Sequence, residues 1–258
     1  MDDFRIRRAE EKDAAQIAML FCLGFRPEVA QLLIYGCKGA ANYIRMQIAS
    51  SGRSPESLYF TADTPGRVIA AVELRRAPDR LFLNYIGVHP DHHGKGIGTR
   101  LLAEAIKMSA ERTGKICLDV FADNLRALEW YARLGFKVLQ TSEFIEVIPS
   151  APVMNGTAYL SDLPQADLCQ ERFGFSRFNL VTAQRGCSVG RIGDGWFRLN
   201  DSASLADPDV FSALRLLDPT RRIFTVVPWL SVPESPEGRL LTKSHRMEAE
   251  ILRVLGSL

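Results

Sequence analysis

The sequence predicts an α+β (mixed αβ) protein: a central, mostly antiparallel sheet flanked by helices, followed by a smaller C-terminal αβ domain. Three observations carry that prediction. Residues 58–88 contain three apolar runs, LYFTAD, RVIAAVELRR and RLFLNYIGV, separated by the tight-turn signals TPG and PD, the pattern of antiparallel strands joined by short connections. Beyond them, two strand-helix units repeat apolar residues first at strand and then at helical spacing. Finally, IPSAPVMNGTA at 148–158 has the proline, glycine and small polar content of a linker, and the pattern partly repeats after it.

Each element can be justified in order. Phe4–Arg7 is short and alternating, and Glu10–Phe25 places Ala14, Ile17, Ala18, Phe21 and Cys22 on one helical face. Glu28–Ser50 stays helical with breaks near Gly36 and Gly39, which predicts two short helices before the loop SGRSP. The three strands follow. After HPDHHGKGIG, residues Ile97, Leu101, Leu102, Ala105, Ile106 and Met108 predict a helix of about four turns, with Gly114 as its C-terminal cap. KICLDVFA is a short apolar strand, and Asn124 is the N-cap of a second helix carrying Leu125, Leu128, Tyr131 and Ala132 until Gly135 ends it. FKVLQTSEFIEVI is a strand or bent hairpin. Past the linker, NLVTAQRGCSVGRI echoes the earlier strand-turn-strand, and Asp207-Pro208 opens a helix leading to the strand RIFTVVPW. The predicted organisation is a domain over 1–147, a linker over 148–158, and a domain over 159–258 that is a degenerate, truncated copy of the first.

Composition narrows the function. A chain of 258 residues, 47% hydrophobic and 24% charged, can bury one large core or two modest ones. Net charge is only +2 with both signs interspersed, so no basic face points to nucleic acid and no basic amphipathic run to a membrane. No apolar run approaches the roughly 18 residues of a membrane span. The expectation is a cytoplasmic protein, monomer or homodimer. Cys22, Cys37, Cys117, Cys169 and Cys187 lack metal or disulfide spacing and read as reduced, small, buried hydrophobes.

The chemistry concentrates in HPDHHGKGIGTRLL at 89–102. A glycine-rich loop leaving a strand and opening a helix presents unpaired amides to an anion; the same glycines also suit a turn that needs them only for its dihedrals. The loop lacks the closing GKS or GKT of a Walker A and the GxGxxG order of a dinucleotide fold, although Asp119 or Asp123 would stand in for the ribose carboxylate of such a fold. His89, His92 and His93 lack the usual metal spacing, so no metal site is expected, and the imidazoles are read as loop residues beside an anion.

The line YIGVHPDHHGKGIGTRLL followed by DNLRALEWYARLGF resembles the GNAT superfamily of acetyl-CoA-dependent N-acetyltransferases over roughly residues 3–147. The matching positions are Val88 and Pro90, the loop His93–Gly98, and then Asn124, Ala127, Tyr131, Gly135 and Phe136. The resemblance implies a GNAT-like sheet and a coenzyme A grip: amides of His93, Gly94, Lys95, Gly96, Ile97, Gly98 and Thr99 around the pyrophosphate, and backbone of Ile86, Gly87 and Val88 along the pantetheine. It also implies that Asn124 hydrogen-bonds the pantetheine arm and that Tyr131 sits near the thioester sulfur as the acid. His93 departs from the family's usual Gln or Arg. The implied activity is acetyl transfer from acetyl-CoA to a primary amine, small molecule or peptide, without metal. Family members often carry a basic Glu or His on the strand before the loop, where this chain has Phe82, Asn84 and Tyr85, so Glu73 on the preceding strand is the candidate base, acting through water. A noncatalytic acyl-CoA-binding protein and a nucleotide-dependent redox enzyme are the competing readings. The C-terminal part is expected to shape the acceptor pocket, with Trp196, Phe197, Trp229 and Arg246 as candidates.

Overall fold

The computed structural model describes residues 4–51, 56–109, 114–148, 157–228 and 238–257. In chain order the elements are β1 (Arg5–Arg8), α1 (Ala14–Leu23), α2 (Pro27–Ala30), α3 (Ala40–Ser50), β2 (Ser57–Thr64), β3 (Arg67–Arg76), β4 (Arg80–Val88), α4 (Ile97–Ser109), β5 (Lys115–Phe121), α5 (Leu125–Arg133) and β6 (Lys137–Val147). They continue with β7 (Tyr159–Ser161), α6 (Leu163–Phe173), β8 (Phe175–Val181), β9 (Gly186–Ile192), β10 (Trp196–Leu199), α7 (Pro208–Leu217), β11 (Arg222–Pro228), β12 (Gly238–Glu250) and α8 (Ile251–Gly256).

Two compact units interleave in sequence. The first comprises Met1–Pro27, Ala40–Leu139 and His245–Leu258; the second comprises Glu28–Gly39 and Gln140–Ser244. Neither is contiguous, unlike the spans 1–147 and 159–258 read from sequence. Of the expected linker, only Ile148, Thr157 and Ala158 lie among the described residues.

In the first unit the strand order is β1-β2-β3-β4-β5, followed by the C-terminal half of β12. β1 to β4 pair antiparallel and β4 to β5 parallel, as the turn signals and the helical crossover require. Consecutive residues of β3 are buried because helices cover both of its faces, and α1 and α4 both contact it. Phe60, Ile69, Leu101 and Ile116 share one core with Met247, Ile251 and Val254 from the chain's end. That C-terminal segment is tied to β5 by Lys115 Nζ on Glu248 (2.8 Å), by a two-pronged contact of Arg246 with Asp119, and by Ile251 N–H donating to the Gly114 carbonyl (2.8 Å).

Several expectations change. Met108 is 43% exposed and does not share the buried face of α4. Leu125 and Ala132 are exposed on α5, whose buried side is Tyr131. Cys22 and Cys169 are exposed, while Cys37, Cys117 and Cys187 are buried, and all five are free thiols. The cap assigned to Gly114 depends on residues 110–113, outside the described residues.

The second unit has the order β6-β11-β10-β9-β8-β7. Its run β7-α6-β8-β9-β10-α7-β11 repeats the antiparallel neighbours and the closing parallel pair of the first unit. Phe178, Leu180, Val189, Phe197 and Val210 form its own core. Trp196 and Phe197, expected near a cleft, are 3% and 1% exposed within that unit, and Trp229 lies outside the described residues. Among the described residues no helix is long and apolar enough to cross a membrane.

Candidate active site

The site begins with a fault in the sheet. β4 pairs with β3 in register up to Tyr85 opposite Glu73, but the next partners are Leu83 and Leu74, so Asn84 is an extra residue in a β-bulge. On its other side β4 pairs with β5 only from Arg80–Lys115 to Leu83–Leu118. A bulge increases local twist and redirects a strand, and from Asn84 onward the two parallel strands part. The space between them is a cavity of about 520 Å³ lined entirely by residues of the first unit.

Main-chain groups of β4 alternate between its two sides. His89 N–H donates to the Ile69 carbonyl on β3 (2.8 Å), so Gly87 also faces β3, whereas Ile86 and Val88 face the cavity. Gly87 has a different reason to be glycine: a Cβ there would lie 2.6 Å from the Leu20 carbonyl oxygen of α1. Val88 already has a partner, because the His93 ring Nε2 lies 2.8 Å from its carbonyl oxygen. Arg126 Nη1 sits 3.0 Å from the other His93 nitrogen. A guanidinium only donates, so Nδ1 accepts and Nε2–H donates to Val88, fixing the tautomer and tying the loop to both β4 and α5.

The loop itself has Gly94 and Gly96 at φ 78° and 72° with open space where a Cβ would stand. His93, Gly94, Gly96, Ile97, Gly98 and Thr99 line the cavity, and Lys95 is exposed outside the lining. Thr99 Oγ1 accepts from the Trp130 indole (3.0 Å). His89 is engaged elsewhere, by Arg67 (2.7 Å) and the Asp91 amide (3.4 Å), and the buried His92 Nδ1 has no partner among the described residues.

On the opposite wall, Asn124 caps α5 by accepting from Ala127 N–H (3.2 Å), and Tyr131 lies about two turns further along, 7% exposed. Both line the cavity. Burial pushes the Tyr131 phenol above its usual range, so the hydroxyl stays protonated through neutral and mildly basic pH. Glu73, the candidate base expected to act through water, does not reach the cavity. It is fully buried, outside the lining, and accepts from Asn84 Nδ2 (2.8 Å), Arg75 Nε (2.9 Å) and Ser57 Oγ (3.3 Å). Asn84 stands between it and the cavity.

Phe25, Asn84, Phe121, Arg126 and Trp130 also line the cavity and were missed as site residues. Arg126 and Trp130 lie inside the DNLRALEWYARLGF stretch, where the family resemblance singled out Asn124, Ala127, Tyr131, Gly135 and Phe136 instead. Phe25 follows a helix end and Asn84 sits in a bulge, positions that hydrophobic periodicity does not mark.

Comparison with known proteins agrees with this geometry. The acetyltransferase (GNAT) family profile matches residues 34–136. An uncharacterised N-acetyltransferase of Mycobacterium bovis is 30% identical over 133 residues, covering 51% of this chain and 85% of that protein. The N-alpha-acetyltransferase RimI of Mycobacterium tuberculosis is 34% identical over 33% of this chain and 54% of its own length. The chain spans only 30% to 54% of the length of the first curated relatives it matches, which also include a mycothiol acetyltransferase. A tandem GNAT protein from the clavulanic acid biosynthesis pathway has the same fold over 96% of this chain and 99% of its own, with a TM-score of 0.66 at 13% identity. The parted strands, the glycine loop and these similarities lead to one conclusion: the chain belongs to the GNAT family of acetyltransferases.

Proposed function

We propose that this protein moves an acetyl group from acetyl-CoA to a primary amine by direct attack in a ternary complex. The observation that carries the reading is the parting of β4 from β5 at Leu83–Leu118 immediately before the glycine loop. It leaves an open strand edge of the kind an extended pantetheine arm can pair with, ending at amides that suit a pyrophosphate. In this reading the amides of His93–Thr99 hold the pyrophosphate, with Lys95 adding charge from outside, and Ile86 and Val88 pair with the pantetheine. Asn124, whose Oδ1 is spent on the helix cap, offers its Nδ2. No metal takes part.

Acyl transfer requires an oxyanion donor and a donor to the leaving sulfur. A main-chain N–H of the open edge serves the oxyanion. Tyr131 serves the sulfur, and because its phenol is less acidic than usual it gives a persistent hydrogen bond to the developing thiolate across the working pH range. Replacing Tyr131 with Phe is therefore expected to lower kcat by about 10²-fold while leaving the Kd for coenzyme A within about twofold. The wild-type kcat/KM should climb with pH as the amine loses its proton, with no falling limb from Tyr131 below about pH 10. Thiol release from acetyl-CoA reads both. One observation favours a second reading, acyl-CoA binding without turnover: the carboxylate of Glu73 is outside the cavity. Coenzyme A binding with no thiol release across an amine panel selects that reading.

A further inference from the structure

The acceptor can be narrowed from the end of the cavity far from the phosphate loop; this inference rests on the acetyl-transfer reading above. At the usual strand rise, Asn84 lies about 13 Å from Val88, and the wall around it is aromatic. Phe25 packs edge-on against Tyr85 (5.7 Å between centroids) and against Phe121 (5.8 Å). Charge is neutralised there. Asp119 is the one carboxylate in the described lining, and Arg246 holds it through both oxygens, with Nη2 at 2.8 Å from Oδ2. The neighbouring Asp123 is paired with Arg26.

Asn84 supplies the polar group. Glu73 accepts from its Nδ2 at 2.8 Å, and an ionised carboxylate only accepts, so Glu73 decides which end of the amide faces it. The Oδ1 is left as an acceptor for a ligand in the cavity that Asn84 lines.

We infer that the acceptor is a primary monoamine on an aromatic or branched apolar scaffold, bound among Phe25, Tyr85 and Phe121 with one N–H on Asn84 Oδ1, and that Glu73 is a positioning residue for Asn84. Apolar walls disfavour the ammonium form, so the amine enters neutral and a dedicated carboxylate base is not required. Its lone pair attacks the thioester carbonyl carbon, the C–N bond forms, and the C–S bond breaks with its electron pair on sulfur. The proton lost by nitrogen is balanced by the one gained by sulfur, giving R–NH–COCH3 and the free thiol of coenzyme A from R–NH2 and acetyl-CoA. A polyamine brings further positive charges to a wall with no unpaired carboxylate in its described lining, and desolvating them is costly.

The test uses the full chain with saturating acetyl-CoA, thiol release as the readout, and 2-phenylethylamine and spermidine as acceptors. Expected is a kcat/KM at least about tenfold higher for 2-phenylethylamine. Phe25→Ala should raise the KM for that amine about tenfold with the Kd for coenzyme A unchanged, and Phe25→Leu should recover most of the loss. Glu73→Gln, which lets the Asn84 amide turn, should lower kcat without changing the coenzyme A Kd. Coenzyme A binding accompanied by spermidine as the better acceptor, by no release with 2-phenylethylamine, or by an unchanged KM in Phe25→Ala overturns this inference alone. Failure of the wild type to bind coenzyme A overturns the acetyl-transfer reading beneath it.

Discussion

Gly94 and Gly87 are both needed as glycine, for reasons that mutation separates. Gly94 has a positive φ with empty space beside it, so Gly94→Ala meets no clash and costs only the left-handed strain of about 1–2 kcal/mol, while perturbing the loop amides and weakening coenzyme A binding. Gly87 has ordinary dihedrals but a carbonyl of α1 against it, so Gly87→Ala must push α1 away and should cost more stability than Gly94→Ala. Urea unfolding of the two variants beside coenzyme A titrations checks both halves. Of these, only the loop glycine was legible from sequence, because a run of glycines between strand and helix has a local meaning. A close approach between Gly87 and Leu20 depends on how distant segments pack. The same holds for Glu73: consecutive burial along β3 erases the alternation that tells an inward side chain from an outward one, so the strand's pattern does not place its carboxylate. Asn124 reads as a helix cap and Tyr131 as a helix residue from local spacing, whereas their place at the site came from the resemblance to the family motif.

The helices α4 and α5 and the strands β2 to β4 form where the periodicities and turns predict them, although Met108, Leu125 and Ala132 lie off the buried helix faces. The C-terminal strand and helix do not, although they complete the first unit's core: Met247, Ile251 and Val254 are 3%, 5% and 0% exposed. A strand's own pattern says that one face is buried but not which strand it pairs with, and the partner of β12 here is separated from it by most of the second unit's sequence. Ile251→Ala should accordingly destabilise the first unit by about 2–5 kcal/mol, the cost of a buried cavity. A chevron or equilibrium urea melt monitored in the full chain reads it, and an Ile251→Ala protein as stable as the wild type would show that the C-terminal segment is dispensable to that core.

The two units share a topology but differ where the ligand would sit. In the first, the connection from the fourth strand to the following helix is glycine-rich and lines the cavity. In the second, the corresponding connection from β10 to α7 carries Asp201 and Asp207, and the first turn of α7 adds Asp209. There the Asp207 carboxylate accepts from Asp209 N–H (3.0 Å) and from Thr182 Oγ1 (2.6 Å). A side-chain carboxylate thus already occupies the helix N-terminus, and the added negative charge repels a phosphate. The sequence echo suggested a degenerate copy, and the repeated strand order together with this self-filled anion position gives that degeneracy a physical form. One coenzyme A per chain follows. Calorimetric titration of coenzyme A into the full-length protein tests the central claim most directly: the account predicts saturable binding at a single site per chain that Gly94→Ala weakens, and the absence of binding, or two equivalent sites, would contradict it.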